Sequence, residues 1–247
     1  MCTFILAWRV FDDAPLVVAA NRDEADDRPS RPPEVVGSDP RVVAPVDEEA
    51  GGTWFGYNEH GLLVAVTNRW TDADLAGDRS RGLLVGDALE RDTAEAAARF
   101  VEREVERREY AGFNLVVADA NAALLLEWDG RLVVRQFEPG VHVVVNVGAD
   151  DRFEIPNRRV EIAQQQAANT RRAWTDLRPE PGEPADAWLD RAVEALRTHD
   201  YGFCVHGDGY GTQSSSLYRQ SDDGAVTSRF ADGPPCETAF EDVQIDV

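Results

Sequence analysis

Residues 4–8 read Phe-Ile-Leu-Ala-Trp, apolar on both alternations of an extended chain, with Phe4, Leu6 and Trp8 on one side and Ile5 and Ala7 on the other. A strand with one face in water alternates apolar with polar residues, whereas a strand covered on both faces does not. The opening segment therefore predicts a sheet with material packed on each side. After the turn Phe-Asp-Asp-Ala-Pro, Leu16 to Ala20 repeats the pattern and ends in the polar cluster Asn21, Arg22, Asp23, Glu24. Two adjacent antiparallel strands would return that cluster toward Cys2.

The later periods decide what covers such a sheet. Residues 26–34, Asp-Asp-Arg-Pro-Ser-Arg-Pro-Pro-Glu, predict an extended loop, because proline fixes the backbone and removes donors that a central strand needs. Arg41 to Ala44 predicts a short strand, and 51–58 with 62–68 a hairpin turning at Asn58 to Gly61. From Ser80 to about Arg108 the period becomes helical: Leu83, Leu84, Ala88 and Leu89 share one face, then Ala94, Ala97, Ala98, Val101 and Val105 another. Asp92, three residues before Glu95, is the expected cap of the second helix. Strands return from Gly112, with Asp129-Gly130 as a hairpin turn and Val-His-Val-Val-Val-Asn at 141–146 as the last of the run. A second helical block covers about Pro156 to Trp174 and, past the linker at 179–184, Ala185 to His199. Strands then close the chain: 211–220, 225–230 and a short one near Thr238 to Val243.

Strand pairs, a helix pair, more strands, a second helix pair and a closing hairpin exclude alternating βαβ units. The predicted class is α+β, a four-layer αββα sandwich of two stacked antiparallel sheets with helices on both outer faces. The proline-rich linker does not divide it, since the segment beyond the linker has too little apolar mass to fold alone, so 1–247 reads as one domain.

Among 247 residues, 46 acidic against 25 basic side chains give a net charge of −21, and every basic one is arginine. Such an excess repels phosphate backbones and anionic lipid, which excludes nucleic acid as a partner. The acids are scattered beside turn residues, as in a solvated shell suited to a salty (halophilic) cytoplasm. Cys2, Cys204 and Cys236 have no Cys-x-x-Cys spacing and leave an odd thiol if two pair, which points to a reducing compartment. No apolar run approaches the ~20 residues that span a bilayer, and no leader pattern opens the chain, so a cytoplasmic protein is expected. His60, His142, His199 and His206 lack ligand spacing, and no Gly-rich phosphate cradle is present, so neither metal nor cofactor is expected.

Cys2 is the residue with chemistry to offer. If Met1 is trimmed, Cys2 carries a thiol and a free α-amine on one carbon, a nucleophile with its own base. Asp23 would orient the amine and Arg22 offset its charge. Asn68 and Asn146 each end an apolar strand and are candidates for holding a tetrahedral oxyanion, as is Asn21. The plainer alternative is that Cys2 is a small buried residue, 21–24 a charged loop, and the asparagines turn formers. Gly51, Gly52 and Trp54 read either as a pocket wall or as a tight turn before a buried ring.

Met-Cys-Thr-Phe at 1–4, Asn-Arg-Asp-Glu at 21–24, Gly-Gly-Thr-Trp-Phe-Gly-Tyr-Asn at 51–58, Thr-Asn-Arg at 67–69, Ser-Arg-Gly at 80–82, Gly-Phe-Asn-Leu at 112–115, Val-Val-Asn at 144–146 and Tyr-Gly-Thr-Gln-Ser-Ser-Ser at 210–216 resemble the NRDE family, also called the transport and Golgi organisation protein 2 family. The resemblance spans nearly the whole chain. It implies the N-terminal nucleophile hydrolase architecture and, read with the similar cholylglycine hydrolases, site-lining roles for Asn68 and Asn146. Family members commonly have arginine where Gln213 stands, with Arg219 the next charge along the motif. Two functions are implied. One is a hydrolase cleaving a small non-peptide amide through a Cys2 thioester. The other is a carrier of a hydrophobic ligand such as haem or an acyl lipid, because animal members are associated with haem trafficking and lipid metabolism.

Overall fold

The computed structural model describes residues 2–244. The chain divides into two compact units, one from residues up to 27 together with 138–243, the other from 28–137. The first segment forms β1 (Thr3–Phe11) and β2 (Ala14–Ala25). The inserted segment forms β3 (Ser30–Ser38), β4 (Arg41–Asp47), β5 (Phe55–Asn58), β6 (Leu63–Asn68), α1 (Arg81–Leu89), α2 (Ala94–Val105), β7 (Phe113–Ala118), β8 (Ala123–Trp128) and β9 (Leu132–Gln136). The remainder forms β10 (Gly140–Val145), β11 (Gly148–Ala149), β12 (Arg152–Phe153), α3 (Val160–Asp176), α4 (Ala185–Arg197), β13 (Tyr210–Gln220), β14 (Val226–Ala231) and β15 (Glu241–Asp242).

In the interrupted unit the antiparallel sheet runs β12-β11-β10-β1-β2-β13-β14-β15. The strand pair at the start of the chain is therefore completed by strands from its second half. β1 and β2 sit in the middle, and Phe4 to Trp8 are each at most 2% exposed, as their double apolar alternation requires. Helix α4 packs on β1 and β2, and α3 on β10. The polar cluster 21–24 does not follow β2 as a loop; it is part of that strand. Pairing with β13 on one side and β1 on the other keeps the strand extended through polar residues, a tertiary effect that local propensity does not report.

Helix α4 buries Trp188, Leu189, Ala192 and Leu196 along one stripe. Trp188 is fully enclosed, its ring centroid 5.8 Å from that of Phe11, and its Nε1–H donates to the carbonyl of Leu177 at 2.8 Å. Trp188→Ala leaves both a cavity and an unsatisfied carbonyl and is expected to cost about 3–5 kcal/mol, measurable as a shift of the urea midpoint. A loss below about 1 kcal/mol would show that the stripe is not what seats this helix.

The inserted unit is an antiparallel sheet in chain order, β3 to β9, with α1 and α2 between β6 and β7. Leu84, Val85, Ala88 and Leu89 of α1 and Ala97, Val101 and Val105 of α2 share a core with Leu62, Val64, Phe113, Leu115 and Val117. Two local expectations are corrected. Residues 30–38 form an edge strand rather than a loop; the register with β4 breaks between Arg31 and Glu34, across Pro32 and Pro33, where an edge can spare the donors. Helix α2 is capped by Thr93, whose hydroxyl accepts the Ala96 N–H, and not by Asp92. The Asp119 carboxylate takes the Ala94 N–H at 2.8 Å, so a residue from the β7–β8 turn satisfies a second end group.

Candidate active site

Strand registers bring the opening residues to their neighbours. Thr3 lies opposite Asn21, and Phe4 opposite Val144. Continuing the β2 register by one residue and the β10 register by two sets Cys2 between Arg22 on β2 and Asn146 just past β10. The Cys2 side chain is half-buried, with Sγ 3.7 Å from the Asp23 carbonyl oxygen. Burial pushes its thiol above the ordinary 9.0, and the neighbouring Asp23 carboxylate adds to the push. Met1, whose removal would free the Cys2 amine, lies outside the described residues.

Asp23 is 1% exposed and is gripped from β13. The Thr212 hydroxyl donates to its Oδ1 at 2.6 Å, and the Tyr210 hydroxyl donates to its backbone carbonyl at 3.1 Å. Thr212 Oγ1 itself accepts the Val205 N–H at 2.9 Å, which turns its own proton toward Asp23. Burial raises the Asp23 carboxyl above the ordinary 3.8, while the Thr212 hydrogen bond pulls the other way. The Tyr210 phenol is pushed up by burial and by the negative charge around Cys2, Asp23 and Glu24.

Asn146 is 1% exposed, and its Oδ1 accepts from Gln166 Nε2 of α3 at 3.1 Å. That bond assigns the amide's two ends and makes Nδ2 its donor. Asn21 commits both ends of its amide to the scaffold: Nδ2 to the carbonyls of Leu196 and Phe203 at 3.2 and 3.0 Å, Oδ1 to the Ser215 hydroxyl at 2.7 Å. Arg22 is buried opposite Ser214. Gln213 sits at the β-bulge between Thr212 and Ser214 and donates to Asp26 Oδ1 at 2.8 Å. Arg219 is not brought to Cys2. It lies opposite Val17 on β13, on the order of 20 Å along the strand from Thr212, paired with Asp13 at 2.6 Å and Asp186 at 3.2 Å.

Asn68 and Trp54 belong to the unit of residues 28–137, Asn68 at the end of β6 opposite Phe113. Gly52 allows a close backbone approach there: a Cβ on it would stand 2.2 Å from the Gly82 carbonyl carbon at the start of α1. The same unit holds a cavity of about 660 Å³ whose wall includes Gly51 and Gly52, with Val36, Val42, Leu83 and Leu89 and the charged Glu34 and Asp87.

Sequence reasoning missed Thr212, Tyr210 and Gln166. The first two lie in the quoted 210–216 motif, at alternate positions of one strand, so the period-2 rule applied to that motif would have put them on one face. Nothing local marks Gln166.

A sequence model of the family described as Transport and Golgi organisation 2 matches residues 1–228. The chain belongs to that family. The family's bovine transport and Golgi organization protein 2 homolog is 37% identical over 110 residues, 43% of this chain and 40% of that protein, and the human homolog 35% over 111 residues, 44% and 40%. The chain thus aligns with well under half the length of these relatives. Among solved structures, penicillin V acylase from Agrobacterium tumefaciens superposes with TM-score 0.54 and 14% identity over 98% of both chains. The Caenorhabditis elegans ortholog of N-acylethanolamine-hydrolyzing acid amidase does so with TM-score 0.58 and 14% identity over 87% of this chain and 92% of its own. This family member shares the fold of both, the N-terminal nucleophile hydrolase-like fold of stacked antiparallel sheets with helices that the element order and the resemblance implied. Among the described residues no helix is long and apolar enough to cross a membrane.

Proposed function

We propose that this family member is an N-terminal-cysteine amidohydrolase that cleaves a small non-peptide amide through a thioester on Cys2. The observation that carries the reading is the meeting of Cys2 Sγ, 3.7 Å from the Asp23 carbonyl, with an aspartate held by Thr212 at 2.6 Å. The fold shared with two amide-cleaving enzymes supports it.

Removal of Met1 exposes the Cys2 amine, which takes the thiol proton as Sγ attacks the amide carbonyl. The amine matters because burial keeps the thiol from ionising unaided at neutral pH. The tetrahedral oxyanion is held by Asn146 Nδ2. Collapse expels the leaving amine with the proton that the Cys2 ammonium returns. Water, deprotonated by the same amine, then hydrolyses the thioester and regenerates the thiol. Asp23 orients the amine, Arg22 balances its charge, and Gln213 borders the bound substrate.

The intact mass of the purified protein tests it. The expected result is loss of one methionine and, after brief incubation with penicillin V or an N-acylethanolamine, an acyl adduct on the peptide beginning at Cys2. Retention of Met1 in the mature protein would end the mechanism. Saturable haem binding with no acyl adduct would favour the carrier reading instead.

A further inference from the structure

Away from Cys2, four sulfur and nitrogen ligand groups from separate parts of the sequence converge. Cys204 Sγ is 3.4 Å from Cys236 Sγ and 3.6 Å from His206 Nε2, and His206 Nε2 is 3.1 Å from Cys236 Sγ. Ligand atoms of His199, His206 and Cys236 all lie within 4.8 Å of one another. The two imidazoles meet edge to face, centroids 5.3 Å apart.

We propose that Cys204, Cys236, His206 and His199 form a tetrahedral S2N2 site for a borderline-soft divalent cation such as zinc. The distances fit such a site. Zinc–sulfur and zinc–nitrogen bonds of ~2.3 and ~2.0–2.1 Å at tetrahedral angles put sulfurs ~3.8 Å apart and sulfur ~3.6 Å from nitrogen. The Cys204–Cys236–His206 triangle matches one face of that tetrahedron to within about half an ångström, and His199, with a ligand atom within 4.8 Å of those of His206 and Cys236, is near enough to supply the fourth ligand. Its Nδ1 faces the Cys204 carbonyl at 3.2 Å, so the Nδ1–H tautomer donates there and leaves Nε2 with the lone pair that a metal takes. Both cysteines are free thiols, and a cation bound here would displace their protons. Two thiolates with two imidazoles select zinc over hard cations such as magnesium.

The fold assembles the site from separate stretches of chain. His199 opens the 3-10 turn His199–Tyr201 at the end of α4. Cys204 and His206 flank Val205, whose N–H and carbonyl both bond Thr212, in a hairpin closed by the Gly207 N–H to the Tyr210 carbonyl at 3.0 Å. Cys236 arrives because β14 pairs with β13, Ser215 opposite Ala231, so the chain leaving β14 runs back past the start of β13. Bound metal would thereby tie the hairpin that holds Thr212 and Tyr210 to the C-terminal segment.

Cobalt(II) titration of the reduced, chelator-stripped full-length protein tests the site without reference to catalysis. One equivalent is expected to bind saturably, with the intense visible bands of tetrahedral cobalt and a sulfur-to-cobalt charge-transfer band, both erased by zinc. Cys236→Ser should weaken binding by more than the ~10–100-fold that an outer-shell change costs and halve the charge-transfer intensity, while Cys2→Ser leaves the spectrum unchanged. Weak octahedral bands without a charge-transfer band would overturn the proposal. So would a Cys204–Cys236 disulfide that survives the reducing conditions, or a spectrum that follows Cys2.

Discussion

Cys2→Ala is expected to lower kcat/KM for any amide the protein turns over by at least ~10⁴-fold, the scale seen when a nucleophile is removed from a machinery that acts as a unit. Its stability should barely move. The thiol is half-buried and makes, among the described residues, a 3.7 Å approach to the Asp23 carbonyl, so the loss is about one methylene's worth of burial, ~0.8 kcal/mol. Rate and urea midpoint measured on the same preparations separate a chemical role from a structural one. Retention of a tenth or more of the rate would remove Cys2 from the mechanism.

The same burial gives the reaction a pH dependence with a definite sign. Removing the thiol from water disfavours the thiolate, so its ionisation lies above 9.0 and simple alkylation of Cys2 by iodoacetamide should be slow at neutral pH and climb on the alkaline side. Amide turnover, if the α-amine takes the proton, should instead reach its plateau at lower pH, nearer the ~7.7–8.0 of an α-amino group. Coincident profiles would indicate a preformed thiolate and no role for the amine. Asp23 enters with the opposite linkage from a surface carboxylate. Its folded ionisation lies above 3.8, so the unfolded chain gives up this proton first and the group costs stability as pH rises past that value. Asp23→Asn is accordingly expected to keep or raise the neutral-pH melting temperature while impairing turnover, a combination that marks a residue retained for function.

How far the sequence carried these conclusions depended on whether a residue's partners were near it in the chain. Phe4 to Trp8 announced a doubly covered strand because burial on two faces is a local pattern, and β1 is that strand. The helix stripes of α2 and α4 were legible for the same reason. The α2 cap was misread by one residue because Asp92 and Thr93 are both good caps, and the choice falls to Thr93 when Asp119, from a distant turn, takes the next N–H. Asn21 looked like Asn146, a buried amide at a strand; only the carbonyls of Leu196 and Phe203 distinguish the strut. The histidines at 199 and 206 carried no ligand spacing, since their sulfur partner Cys236 is returned to them by the β13–β14 hairpin and not by any motif.

Asn146→Ala is the second large effect, an expected fall in kcat of about 10²–10³ with KM nearly unchanged, as for removal of one oxyanion donor. The argument rests on how the amide is held. Gln166 donates to Asn146 Oδ1 at 3.1 Å from a position 7% exposed on α3, so the carbonyl end is held by the scaffold and Nδ2 is the donor end of the amide. Preorganisation of that kind stabilises charge that develops only in the transition state, which is why kcat and not KM should register the loss. Gln166→Leu then isolates positioning from donation. The donor remains but is free to flip, so kcat should drop less than in Asn146→Ala, and adding that substitution on top should cost less than it does alone. Additive losses in the double variant would mean that Gln166 acts on the fold, and an unchanged kcat in Asn146→Ala would assign the oxyanion to other donors.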